Sequence, residues 1–159
     1  MININLIAVG KIKESFLREQ IEEYKKRLSR YCQLNIIEVS DSKIKENAST
    51  KEEMIVLEEE GERILKKIKE NELLILIDLH GKEMDSVNFA NQFEKLSNKN
   101  SSIAIVIGGS LGLSDKLRKR SDFSLCLSKM TFTHQMTRVI VLEQIYRAFK
   151  INNHETYHK

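Results

Sequence analysis

A chain of 159 residues, 41% hydrophobic and 31% charged, is long enough for one well-packed domain and short for two. Its net charge of +3 excludes a broad basic coat for nucleic acid while leaving room for a local patch against RNA phosphates. Cys32 and Cys126 stand far apart and outside any C-x-x-C pair, which excludes a disulfide framework and a cysteine-based zinc signature.

The first residues carry neither a basic region nor an extended apolar stretch, and no later run approaches the roughly 18 apolar residues of a membrane span. The expectation is a cytoplasmic protein without membrane contact. Residues 2–9 alternate Ile2, Ile4 and Leu6 with Asn3 and Asn5, then run apolar to Val9, which reads as a strand closed by Gly10. From about Glu14, the residues Leu17, Ile21, Tyr24, Leu28 and Tyr31 form one helical stripe, with Lys25, Lys26, Arg27 and Arg30 around it. Residues 34–39 read as a second strand, followed by a polar connection over 40–50.

Thr50 and Glu53 have the spacing of a capping box for a helix that turns Met54, Leu57, Ile64, Leu65 and Ile68 inward, with Asn71 as its left-handed cap. Residues 73–79 form a third, near-continuously apolar strand running into His80, Gly81 and Lys82. Ser86 caps a helix carrying Val87, Ala90 and Phe93. Residues 103–107 are a saturated strand that stops at Gly108 and Gly109, Ser114 and Asp115 open a short basic helix, and 123–127 form a fifth strand ending in the loop 128–134.

Strands alternating with helices predict an α/β fold, a mainly parallel sheet with helices on both faces, as one domain over 1–159. Ligands of such sheets sit beyond the carboxyl ends of the strands, where three loops converge. The glycine loop fits neither a P-loop nor a dinucleotide fingerprint, since Leu113 stands five positions after Gly108 and Ser110 two after it. Paired glycines suit a tight turn or a close approach of backbone to ligand. The last helix, about residues 135–150, is apolar over more than one face. It is either sandwiched in the core or shared with a second copy, and a homodimer is the favoured reading. His154 and His158 have half a zinc spacing without the cysteines to complete it, so no metal is expected.

The segments 76–82 (LIDLHGK), 107–113 (IGGSLGL), 127–132 (LSKMTF), His134, Gln135, Arg138, 142–148 (LEQIYRA) and 157–159 (YHK) together closely resemble the RlmH family. These are ribosomal RNA large subunit methyltransferases H of the SPOUT superfamily, and the resemblance spans the whole chain. It implies an α/β fold with a deep C-terminal trefoil knot, a homodimer, and S-adenosylmethionine as methyl donor. It also implies a pseudouridine in helix 69 of 23S rRNA, methylated at N3 within the assembled ribosome, as substrate. By the same resemblance Leu76, Gly108, Gly109, Leu127, Ser128, Lys129, Met130, Thr131 and Phe132 contact the donor, and His158, Tyr157 and Arg138 are the candidates for handling the N3 proton. Relatives often carry proline where this chain has Thr133 and Thr156. RNA affinity is expected from Lys116, Arg118, Lys119, Arg120 and the basic first helix. A ribosome-associated binding factor without turnover is the rival reading from another class.

Overall fold

The computed structural model describes residues 1–159 as five parallel strands and five helices. The strands are β1 (Ile2–Val9), β2 (Cys32–Val39), β3 (Leu73–Glu83), β4 (Ser102–Ile107) and β5 (Phe123–Cys126). Between and after them run α1 (Ser15–Leu28), α2 (Thr50–Leu65), α3 (Ser86–Lys99), α4 (Asp115–Arg120) and α5 (His134–Asn152). The sheet order is β2-β1-β4-β3-β5, and every pairing is parallel.

Strand β4 is paired on both edges and covered on both faces, so all five residues Ile103–Ile107 are buried. Alternation sends Ile103, Ile105 and Ile107 into a core with Ile4, Leu6 and Ala8 under α1, α3 and α5. Ala104 and Val106 join Ile7, Val9, Leu74 and Leu76 in the other core, beneath α2 and α4. Burying each large side chain stabilises the fold by roughly 1.5–3 kcal/mol before ordering costs, so these central strands anchor everything at their carboxyl ends.

Several boundaries differ from expectation by a residue or more. The capping box of α2 is built by Ser49 and Glu52, one position earlier, because Ser49 Oγ accepts the Glu52 amide while the Glu52 carboxylate accepts the Ser49 amide. That phase leaves Met54 exposed and turns Val56 and Gly61 inward. Helix α2 stops at Leu65, so Asn71 caps nothing; its carbonyl instead accepts a bond from the Asn100 side chain. Asp85, not Ser86, caps α3, which leaves Val87 exposed and buries Phe89 beside Phe93.

Much of the surplus apolar surface of α5 is consumed within the chain. Val141, Leu142, Ile145 and Ala148 are buried, while Phe149 stacks on Tyr31 at 5.3 Å and meets Phe93 edge-on at 5.4 Å. The sandwiched alternative therefore accounts for most of the helix, with Met136 left exposed. No helix is long and apolar enough to cross a membrane.

Candidate functional site

The loops after β3, β4 and β5 enclose a cleft of about 640 Å³ at the carboxyl edge of the sheet. A cleft of this size falls within the range of small-ligand pockets. From the glycine loop come Gly108 to Leu113, and from the last loop Leu127, Ser128, Met130, Thr131 and Phe132. The expected Lys129 is exposed and does not line it. Leu76 has no exposure at all; its side chain belongs to the α2 and α4 core, and the next residue, Ile77, reaches the cleft.

The glycine loop closes on itself. The Gly112 amide donates to the Gly109 carbonyl at 3.1 Å, and Gly112 takes a φ of +90° that a side chain would strain. A Cβ at Gly108 would lie 2.5 Å from the Gly112 carbonyl oxygen, and one at Gly109 would lie 3.2 Å from Glu60 Oε1. Gly108 is thus required by the loop's own backbone before any ligand arrives, whereas at Gly109 a Cβ would need only a small shift of the Glu60 carboxylate. The last loop has its own fastening, a bond from the Met130 amide to Ser128 Oγ at 3.0 Å. It leads into Thr133, which caps α5 by accepting the Met136 amide at 3.2 Å. A proline there could not supply that cap.

The third wall holds Asp78 and His80, from the segment 76–82, in a network that sequence spacing alone does not show. Asp78, at the end of the regular part of β3, has a buried carboxylate that accepts Arg118 Nε at 2.8 Å and the His80 amide at 3.2 Å. Burial pushes this carboxyl up, but the guanidinium and the amide outweigh it and hold the acid below its usual range. Arg118, His80, His134 and Thr137 also face the cleft. The Asp78–Arg118 pair spans 40 positions, so only the fold assembles it.

The three candidates for proton handling lie outside this cleft. Arg138 is 1% exposed, with Nη1 donating to Glu38 at 2.7 Å and Nη2 to the Gly10 carbonyl at 2.8 Å. Tyr157 and His158 lie back on α5. The Tyr157 hydroxyl donates to Glu143 at 3.0 Å, His158 Nδ1 stands 3.1 Å from Arg147 Nη1, and the Arg147 guanidinium covers the Tyr157 ring at 4.7 Å. Burial and the Glu143 carboxylate push the Tyr157 phenol up to about 12, which keeps its proton in place at neutral pH. His158 lines a second cavity, of about 430 Å³, with Met84, Val87 and Ile140. Leu127 and Phe132 are walls of both cavities.

The expected basic patch is partly paired with acids of the same chain. Lys116 pairs with Glu62, Arg118 with Asp78 and Asp115, and Arg120 with Asp122, which leaves Lys119 alone on α4 without an ionic partner. On α1, Lys25 and Arg27 pair with Glu22 and Glu23.

A parallel sheet with its loops gathered into one carboxyl-edge cleft finds its counterpart in a family model described as "Predicted SPOUT methyltransferase", which matches residues 2–158. The chain is a SPOUT methyltransferase. It is 56% identical to the ribosomal RNA large subunit methyltransferase H of Clostridium tetani and 57% identical to that of Clostridium botulinum strain Loch Maree, each over 158 residues and 99% of both chains. Within the SPOUT enzymes, then, it belongs to the ribosomal RNA large subunit methyltransferase H family. Among solved structures, the tRNA (m1G37) methyltransferase of Aquifex aeolicus shares the fold, with a TM-score of 0.52 at 12% identity over 91% of this chain and 69% of that one.

Proposed function

We propose that the chain transfers a methyl group from S-adenosylmethionine to N3 of a pseudouridine in helix 69 of 23S rRNA, on the assembled ribosome. The observation that carries this reading is the carboxyl-edge cleft formed by the three strand-end loops, in a chain so similar along its length to relatives named for rRNA methylation. The cleft fits such a donor: Leu127, Met130 and Phe132 offer apolar contact for a nucleoside, and the glycine loop turns backbone groups toward it. Bound there, S-adenosylmethionine supplies an electrophilic methyl on a sulfonium. The residues of this chain hold that group in line with the acceptor nitrogen and keep water away, and most of the rate comes from that alignment.

Transfer to N3 displaces the proton on that nitrogen, so a group must accept it or stabilise the charge left on the base. His158 lines the adjoining cavity, which shares Leu127 and Phe132 with the donor cleft, and neither it nor Tyr157 lines its own donor cleft. They serve the cleft of a second copy, and Leu79, Met130, Phe132 and Met136, all exposed large apolar residues, form the surface that the second copy covers. The C-terminal trefoil knot and the cytoplasmic setting belong to the same reading. Mapping N3-methylpseudouridine in 23S rRNA from cells with and without the gene tests it; an unchanged modification pattern refutes it.

A further inference from the structure

Two buried side-chain nitrogens in the whole chain have no hydrogen-bond partner, and both belong to one turn of α5: His134 Nδ1 and Arg138 Nε. The two residues stand four apart, so their side chains share a helical face. Arg138 cannot move to serve His134, because its other nitrogens are held by Glu38 and the Gly10 carbonyl. The His134 ring lies against Gly10, where a Cβ would come within 3.2 Å of Cε1, and the φ of +91° at Gly10 is what brings the backbone so close. His134 also lines the donor cleft.

This arrangement decides which nitrogen carries the proton. A buried, unpartnered Nδ1 in the field of the Arg138 guanidinium is better as a lone pair than as an N–H. The hydrogen then sits on Nε2. We propose that His134 presents Nε2–H to the cleft as a neutral hydrogen-bond donor for a ligand oxygen that carries negative charge, and that Arg138 is the positioning residue that sets this tautomer. The inference rests on the cleft being the methyl-donor site. Two oxygens there have the required chemistry: the carboxylate of the methyl donor, and a carbonyl of the acceptor base, which gains charge as N3 loses its proton.

The ring is uncharged at neutral pH because burial and then Arg138 hold its protonation below the ordinary range. The other groups acting on it are Lys13 before α1, Asp41 after β2, and Glu38 on β2, the two acids opposing the shift. Protonation in acid adds a hydrogen at Nδ1 and leaves the Nε2–H donor intact. A base in the same place would be silenced by that proton.

The experiment compares His134→Gln, which keeps an N–H donor but cannot titrate, with His134→Phe, which has none. Calorimetry measures S-adenosylmethionine affinity, and turnover on ribosomes is followed at saturating donor from pH 5.5 to 8. His134→Phe is expected to lose roughly 10- to 100-fold, the range for a bond to a charged group, with His134→Gln within about threefold of the parent. A loss in affinity assigns the oxygen to the donor carboxylate; a loss in turnover alone assigns it to the acceptor base. Full function of His134→Phe overturns the proposal. So does a Gln variant as impaired as the Phe variant together with an acid limb in the parent profile. Nitrogen-15 spectra of the unmutated protein decide the tautomer independently of how either variant folds, and a protonated Nδ1 at pH 7.5 refutes it. Absence of donor binding by the parent chain would instead overturn the functional reading itself.

Discussion

Replacing Arg138 by Met separates a structural clamp from a catalytic group. The parent guanidinium makes two charge-assisted bonds, to Glu38 and to the Gly10 carbonyl, each worth about 1.5–3 kcal/mol. Methionine fills most of the volume but leaves the Gly10 carbonyl without that bond. Two terms offset the loss: the Glu38 side chain is 39% exposed and recovers water, and removing a buried guanidinium with an unpaired Nε relieves some desolvation. The net expectation is a destabilisation of about 3 kcal/mol, which for a chain of this length lowers the melting temperature by roughly 6–12 °C. Arg138→Lys keeps the charge but reaches one partner, so about half that shift is expected. Thermal and urea unfolding at one fixed protein concentration measure both. An Arg138→Met protein with an unchanged unfolding midpoint would refute the clamp.

Gly108→Ala puts a Cβ against the Gly112 carbonyl, so the loop must open; S-adenosylmethionine affinity by calorimetry should fall at least tenfold while circular dichroism stays unchanged, and parental affinity would contradict the loop's role in the site. Deleting residues 156–159 should leave donor affinity nearly intact and lower turnover, whereas a joint loss of stability and donor binding would make the tail a packing element. Glu60 is buried, accepts the Ser42 amide at 3.0 Å, and has its carboxyl pushed up by burial. A raised folded value means that its favourable contribution is complete below the ordinary carboxyl pKa of about 4.3 and fades as pH rises through the folded value. Glu60→Gln should therefore gain stability relative to the parent between pH 4 and pH 7 in parallel urea titrations, and a constant difference would disprove the shift.

The central strands were legible because one physical cause dominates them. Ile103–Ile107 could only be buried on both faces, and the glycines that follow could only end the strand. Where two local solutions compete, the pattern misleads by a step: Ser49 with Glu52 and Thr50 with Glu53 both have box spacing, and only the first agrees with the inward turn of Val56 and Gly61. The stretch Leu127–Phe132 was legible as a loop at the right edge, yet Lys129 turns away and Leu76 sinks into the core. Arg138 marks the limit of sequence reading. An arginine on an apolar helix resembles a catalytic group until the carbonyl that holds it, 128 positions earlier, is brought alongside. The same separation hides Asp78 with Arg118 and His134 with Gly10.

The docked tail is lightly held. Two polar contacts, the Arg147 cation over the Tyr157 ring and the Tyr146 ring at 5.0 Å together favour docking by about 3 kcal/mol on ordinary scales. Ordering the last four residues costs a comparable amount, about 1 kcal/mol or more for each. Docking of the tail is therefore shallow, and a released terminus moves in nanoseconds to microseconds. Thr156 shifts that balance toward release, since threonine leaves the free tail more conformations than a fixed φ would. Any groove offering Tyr157 and His158 one further hydrogen bond would hold most of the tails, and a segment so lightly held can leave and return within every catalytic cycle.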